Sequence, residues 1–347
     1  MTSLPVLILS DGRPGHYHLA EGIAAAIARR RPVEIAWCEV RRRGWPGRLL
    51  ALLVNRQVSP TRILSLVFAI DPARIAKPKL IISAGAETLA ANICLARLTG
   101  AANIFYGSLR RFRPDDFALV LSSYAHAPSN PRVAATLKPS KLDPDGLIRA
   151  RDQPPPGPGR PPRLAGLLIG GDAGAIRYGE ADWKKLFGFL EASHETLGTR
   201  WIVSNSRRTA PEVSDAVHGW ARRREGPIES FIDVRRAGAG SLIDVFMRAQ
   251  AVLCTDDSSS MVSEAIWARL PVLGVRPQQC RFTSEEEGYR RLLSDNGWYR
   301  TEPIAALSPE LFLARIGEIS PMTDNPLDRL AGLLAARLPQ IFDDSPG

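Results

Sequence analysis

The sequence predicts an α/β fold made of two Rossmann-like, doubly wound domains. Short apolar runs alternate with helix-like stretches along most of the chain, a pattern typical of parallel sheets covered by helices on both faces. The alternation stops at one proline-rich segment and then restarts. Each half of the chain is therefore expected to build its own sheet.

The first half contains five apolar runs with the length of strands. Glycine-rich or polar loops follow two of them, and helix-like stretches come next. The predicted strands are residues 6–9, 33–40, 80–82, 103–106 and 117–121, and the predicted helices are residues 19–30 and 87–98.

Residues 151–163 interrupt this pattern. Six of these thirteen residues are proline, which excludes a regular helix or an internal strand. We expect a semi-rigid linker between an N-terminal domain, residues 1–150, and a C-terminal domain, residues 164–325. The last segment, residues 326–347, carries a helical pattern over 326–338 and is a candidate to cross back to the N-terminal domain.

The second half repeats the alternation of strands and helices. The predicted strands are residues 164–169, 201–203, 231–234, 251–254 and 272–275, and the predicted helices are residues 182–196, 211–223, 241–249 and 259–269. Doubly wound domains bind ligands at the carboxyl ends of their strands. A cleft between two of them suits a reaction with two substrates.

The composition is that of an ordinary globular chain. Of the 347 residues, 45% are hydrophobic and 23% are charged, and no apolar run is long enough for a transmembrane helix. The first residues predict a strand rather than a signal peptide, so a cytoplasmic location is expected. Cys38, Cys94, Cys254 and Cys280 are scattered, which favours reduced thiols over a disulfide frame or a zinc site.

Positive charge is concentrated in the first half. Residues 1–163 carry 24 Lys and Arg against 11 Asp and Glu, a net charge of +13, whereas the remainder has a net charge of −4. An anionic membrane surface and nucleic acid are both candidate partners, and solvated arginines are the simpler alternative. Nucleic acid is the least favoured, because aromatic residues are only 7% and no recognition motif is present.

Residues 41–56 interleave arginines with apolar residues. Trp45 and the flanking arginines suit a membrane interface. The alternative is a buried helix with an exposed basic lead-in. The leucines that fit one helical face are Leu49, Leu50, Leu52 and Leu53.

The first candidate site follows the first strand. Asp11 and His16 are the acid–base candidates, because histidine can take a proton from an acceptor hydroxyl near neutral pH. A helix is predicted to start near His18 and to point its positive end at the site. Alternatively the segment is only a turn and a helix cap. The predicted acceptor-binding residues are Gly12, Arg13, Gly15 and, in a second loop, Gly85.

Three loops of the second half form the candidate donor site. Gly170 and Gly171 let a diphosphate approach the backbone, and Arg207 or Arg208 can stabilise a leaving diphosphate. Glu264, on the helix after a serine-rich loop, can accept hydrogen bonds from a ribose diol. Turn formation and helix capping are the alternatives. The remaining predicted donor-binding residues are Ser206, Thr209, Asp257, Ser258, Ser259, Ser260 and Met261.

These motifs together resemble a known family. The sequences DGRPGH, SNSRRTAP and TDDSSSMVSEA followed by LPV are similar to those of the bacterial and plant family named after a mitochondrial fission factor. The resemblance implies a GT-B glycosyltransferase fold, with acceptor bound by the N-terminal domain and nucleotide-sugar by the C-terminal domain. It also implies that no metal or other cofactor is needed.

The resemblance extends to the lipid-linked N-acetylglucosaminyltransferase of peptidoglycan synthesis, in which an acidic residue at the place of Glu264 binds the ribose. Tyr17, His18 and Leu19 depart from the polar residues usual after the Gly-His pair. The expected function is transfer of a sugar from a nucleotide-sugar to a lipid-linked or cell-envelope glycan, on the inner face of the cytoplasmic membrane. The alternatives are a non-catalytic membrane-associated interaction protein and a nucleotide-sugar epimerase.

Overall fold

The chain forms two compact units. The computed structural model describes residues 2–75, 77–124, 130–151, 153–157, 159–237 and 242–343. The first unit comprises Met1–Lys141 and Pro326–Gly347, and the second comprises Leu142–Asn325. Ser241, where one predicted helix begins, lies outside the described residues.

The boundary between the units differs from the predicted one. It falls after Lys141, so the proline-rich segment belongs to the second unit rather than linking the two. Hydrogen bonds hold this segment there. The Arg151 guanidinium donates to the carbonyl oxygens of Phe246 (3.3 Å) and Ala268 (2.7 Å), and the Gln250 amide donates to that of Pro154 (2.9 Å).

The first unit contains a parallel six-stranded sheet in the order β2-β1-β3-β4-β5-β6. All five residues of β3 are buried, as expected for a strand covered on both faces. The strands are β1 (Leu4–Ser10), β2 (Val33–Glu39), β3 (Leu80–Ala84), β4 (Ala102–Tyr106), β5 (Leu119–Ser122) and β6 (Val133–Ala135). The helices are α1 (Pro14–Ala28), α2 (Gly47–Asn55), α3 (Pro60–Ile63), which continues as a π-helix (Leu64–Phe68), and α4 (Leu89–Thr99).

Leucine, isoleucine and phenylalanine side chains fill the core on one face of this sheet. Leu9 and Ile81 from the strands pack with Val54 of α2, Leu64 of the π-helix and Ile93 of α4. Strand β6 is only three residues long, and no apolar run predicts it. Strand β5 begins two residues later than predicted.

The second unit contains another parallel six-stranded sheet, in the order β12-β11-β10-β7-β8-β9. Its strands are β7 (Leu164–Leu168), β8 (Arg200–Ser204), β9 (Ile228–Ile232), β10 (Ala251–Thr255), β11 (Val272–Arg276) and β12 (Tyr299–Pro303). Its helices are α5 (Pro144–Ala150), α6 (Glu180–Leu197), α7 (Pro211–Ala221), α8 (Val234–Ala237), α9 (Leu242–Arg248), α10 (Ser259–Trp267), α11 (Ser284–Asp295) and α12 (Pro309–Gly317).

The starts of two helices have local causes. Helix α1 begins at Pro14 rather than near His18, because proline is well suited to the first turn of a helix. Helix α10 begins at Ser259, as predicted, because the Ser258 side chain caps it by accepting from the Met261 amide (3.5 Å).

The C-terminal helix, α13 (Pro326–Arg337), belongs to the first unit and packs against α1. The Arg29 guanidinium donates to the Asp328 carboxylate (2.7 Å), and the buried Arg31 donates to the carbonyl oxygen of Ile341 (3.1 Å). Leu330 and Leu334 are buried beneath the helix. In the part of the chain that is described, no helix is long and apolar enough to cross a membrane.

Candidate functional site

Each sheet has one point at which the strand order reverses. In the first sheet it lies between β1 and β3, and in the second between β7 and β10. Loops that follow the strands on either side of such a point form a crevice that binds ligands in doubly wound folds. The predicted site residues of the first unit follow β1 and β3, and those of the second follow β7, β8 and β10.

In the first unit the structure brings Asp11 and His16 together. His16 lies in the first turn of α1, and its Nδ1 is 2.7 Å from Oδ2 of Asp11. Because an ionised carboxylate only accepts, Nδ1 carries the proton and Nε2 is left as the basic nitrogen. The Asp11 side chain is 3% exposed and that of His16 is 33% exposed, so the imidazole is the reachable member of the pair.

Gly85 is essential to the position of His16. It follows β3 with a φ of +89°, and a Cβ at this place would overlap the His16 ring. Two loops from neighbouring strands therefore meet at the imidazole. Gly12, Arg13 and Gly15 are exposed, and the Arg13 side chain has no partner among the described residues.

In the second unit Asp257 joins three loops. Its buried carboxylate accepts hydrogen bonds from the Gly171 amide (3.1 Å), the Tyr178 hydroxyl (3.0 Å) and the Arg208 guanidinium (2.5 Å). Burial and the nearby Asp257 raise the pKa of Tyr178, which keeps its hydroxyl protonated. The role that these contacts support is to hold the loops after β7, β8 and β10 in place.

The hydroxyl groups of two threonines hold the backbone of the glycine loop as well. The Thr209 hydroxyl lies 2.6 Å from the Gly170 carbonyl oxygen, and the Gly170 amide donates to Oγ1 of Thr255 (2.6 Å). A Cβ at Gly170 would overlap Asp257, and a Cβ at Gly171 would overlap the Arg208 carbonyl. The close packing of loops explains both glycines without a ligand.

The two arginines of the loop after β8 differ. Arg208 is held by Asp257, whereas Arg207 is exposed and has no partner among the described residues. Ser206 accepts from the Arg208 amide (3.1 Å), which stabilises the turn. Within the described structure, Arg207 is therefore the arginine of this loop whose guanidinium group has no carboxylate partner.

Most polar side chains of the serine-rich loop already make hydrogen bonds within the second unit. Ser258 caps α10, and the Ser259 hydroxyl donates to Glu286 (2.7 Å). Met261 is buried, whereas Ser260 is exposed and its hydroxyl makes no contact with a described polar group. Of the predicted serines here, Ser260, in the first turn of α10, is thus the one whose hydroxyl has no partner among the described residues.

Glu264 differs from Asp256 and Asp257, the two acids that precede it at the end of β10, whose carboxylates are held by hydrogen bonds. Its side chain is half-buried on α10, yet the carboxylate makes no hydrogen bond or ion pair with a described residue. Burial raises its pKa to about 7. A desolvated carboxylate without partners is costly, and a ligand that donates hydrogen bonds to it would relieve that cost.

Sequence reasoning missed two buried polar clusters beside this site. Asp256, which is fully buried, is held by Arg290 (2.7 Å) and Arg276 (3.0 Å). Asn205 donates to Ser214 (2.9 Å) and Asp233 (3.0 Å), joining the ends of β8 and β9 to α7. The partners are far apart in the chain, so no local pattern shows them.

The family of the chain follows from a sequence comparison. The model of the family described as Mitochondrial fission ELM1 matches residues 14–329. The chain belongs to this family. No curated protein matches it.

Solved structures give the fold of this ELM1 family member. MurG of Acinetobacter baumannii is 13% identical, with 96% of this chain and 99% of that chain covered and a TM-score of 0.52. The UDP-GlcNAc 2-epimerase of Neisseria meningitidis bound to UDP-GlcNAc is 12% identical, with 98% and 100% covered and a TM-score of 0.56. These likenesses confirm the predicted fold class, two Rossmann-like domains of GT-B type.

The predicted site residues of the ELM1 family member thus fall into two groups. The first group holds the loops together through contacts within the second unit; it comprises Asp257, Ser258, Ser259, Thr209 and the two glycines after β7. The second group has polar atoms that can still form hydrogen bonds or ion pairs with a ligand; it comprises His16, Arg207, Ser260 and Glu264. Among the described residues, no cluster of three or more His, Cys, Asp or Glu side chains is arranged to hold a metal ion.

Proposed function

We propose that the protein is a metal-independent glycosyltransferase that moves a sugar from a nucleotide-sugar donor to a lipid-linked or cell-envelope glycan acceptor. The observation that carries this proposal is the half-buried carboxylate of Glu264, on the helix that follows β10, for which the described residues supply no partner. A ribose diol offers two hydroxyl donors, which match the two oxygens of an ionised carboxylate. The donor's diphosphate would find the exposed Arg207 and Ser260 on neighbouring loops.

His16 supplies the chemistry on the acceptor side. In the proposed reaction the acceptor hydroxyl gives its proton to Nε2 and its oxygen forms a bond to the anomeric carbon of the sugar. The bond from that carbon to the diphosphate breaks, and the nucleoside diphosphate leaves with the electron pair. The Asp11 carboxylate holds Nδ1–H and stabilises the imidazolium that forms.

The donor class is tested by calorimetry with UDP, GDP, ADP and their sugar conjugates. UDP-GlcNAc is the first conjugate to test, because the solved structure of the Neisseria meningitidis epimerase, which has the same fold, contains this molecule. Glu264→Ala is expected to weaken binding by about 1–3 kcal/mol, the cost of a lost charge-assisted hydrogen bond. Glu195→Ala, an exposed glutamate on α6, is the control and should bind like wild type.

Three results would contradict the proposal in different ways. Unchanged affinity in Glu264→Ala would remove Glu264 from the donor site. No binding of any nucleotide to wild type would favour a non-catalytic interaction protein. Conversion of a bound UDP-sugar to its C2 epimer without any acceptor would favour the epimerase alternative, which shares this fold.

A further inference from the structure

The helical layer formed by α2, α3 and the π-helix that follows it carries an unusual outer surface. The inner faces of these helices pack into the core of the first unit through Leu50, Val54, Ile63, Leu64 and Val67. Residues 40–70 contain six arginines and no acidic residue. Such a stretch has a strong field of one sign.

Four of the six arginines make no ion pair with the part of the chain that the structure describes. Arg41 is held by Glu39 (2.8 Å) and Arg42 by Glu87 (2.8 Å). The other four side chains are exposed and make no ion pair with a described residue; they are Arg43, Arg48, Arg56 and Arg62. Their charge is available to an external partner.

Leucines stand among these arginines on the outer face. Leu49 is 38% exposed, Leu52 is 44% exposed and Leu66 is 64% exposed. The Arg43 amide donates to the Val67 carbonyl oxygen (2.9 Å), which places the basic lead-in beside Leu66. The surface predicted from residues 41–56 is corrected here, because Leu50 is buried and Trp45 and Leu53 pack against the core.

We propose that this outer face, formed by Leu49, Leu52, Leu66, Arg43, Arg48, Arg56 and Arg62, docks the protein on an anionic lipid bilayer. Exposed leucines insert favourably below the headgroups, while arginines keep their guanidinium groups at phosphate level. A nucleic acid would use the arginines but leave the leucines in water. The combination therefore favours a membrane, whatever sugar the enzyme transfers.

The test is sedimentation of the full chain with vesicles of pure phosphatidylcholine, or of phosphatidylcholine with 30% phosphatidylglycerol. Wild type is expected to bind the anionic vesicles at least about tenfold more tightly, and to lose this preference in about 1 M salt. Leu49→Ser/Leu52→Ser/Leu66→Ser and Arg48→Glu/Arg56→Glu/Arg62→Glu should each weaken binding by about tenfold or more. Circular dichroism verifies that both variants fold.

Matched controls lie on the second unit. Ile243 is 44% exposed, like Leu52, and Arg222 and Arg224 are exposed without ion pairs to described residues. Ile243→Ser and Arg222→Glu/Arg224→Glu should bind vesicles like wild type. The proposal is overturned if wild type does not bind anionic vesicles, or if the leucine variant binds them unchanged. In the second case, if the arginine variant loses duplex DNA binding to the same extent as vesicle binding, the surface binds polyanions in general.

Discussion

The Asp11–His16 pair has a close counterpart on the same helix, which makes its role testable. His18 contacts Glu21 at 2.7 Å, the same distance as His16 to Asp11, and its side chain is similarly exposed. The two histidines differ in position. His16 lies over Gly85, where the strand order of the first sheet reverses, and His18 does not. If the proposed reaction takes place, turnover should depend on that position rather than on histidine chemistry alone.

We therefore predict that His16→Ala lowers turnover by about 10²–10⁴-fold, the range for general acid–base catalysis. Asp11→Asn should also lower it, because an amide that accepts less well no longer fixes the proton on Nδ1. His18→Ala should stay within about threefold of wild type. The readout is release of nucleoside diphosphate from the donor that binds, with donor affinity measured separately. Near-normal turnover in His16→Ala with loss in Asp11→Asn would transfer the role to Asp11.

The raised pKa of Glu264 leads to a second prediction at this scale. The pKa is raised by burial from 4.5 to about 7. Folding therefore favours the protonated acid, and the stability linked to it is lost as the pH rises through about 7. Glu264→Gln removes this loss, so the variant should gain up to about 3 kcal/mol over wild type between pH 5 and pH 8. Urea denaturation at both pH values measures it, and a difference independent of pH would contradict it.

At the scale of the element, the sequence predicted most strands because they are buried on both faces. The residues of β3 and β10 are all buried, and a continuous apolar run is what such burial requires. Strand β12 was not predicted, because it is an edge strand of the sequence YRTEP with three half-buried central residues. Its place in the sheet depends on pairing with β11, which no local pattern shows.

The candidate site was predictable to a similar extent and for a related reason. Loops after buried strands are recognisable, so the sequence located Asp11, His16, Asp257 and Glu264. Which polar groups are already satisfied depends on contacts between loops far apart in the chain. Asp257 meets Gly171 and Arg208 only in the folded sheet, and sequence alone therefore could not separate it from Glu264.

At the scale of the whole molecule, the two units have separate cores, and the C-terminal segment belongs to the core of the first. Helix α13 packs against α1 with Leu334 buried, while its neighbour Leu333 is half-buried. The donor site proposed here lies entirely in the second unit. Truncation of a buried side chain of α13 should therefore reduce the stability of the first unit and leave ligand binding by the second unit intact.

Leu334→Ala is predicted to destabilise the first unit by about 2–5 kcal/mol, the range for removing a fully buried leucine side chain. Leu333→Ala should cost clearly less, because its side chain is only half removed from water. Hydrogen exchange resolved to peptides shows where the protection is lost, and calorimetry follows nucleotide affinity. Faster exchange confined to residues 1–141 and 326–343, with unchanged affinity, is the expected result. Equal loss of protection in residues 142–325 would show that the two units unfold as one, because only coupled cores transmit the loss of a single leucine side chain across the whole chain.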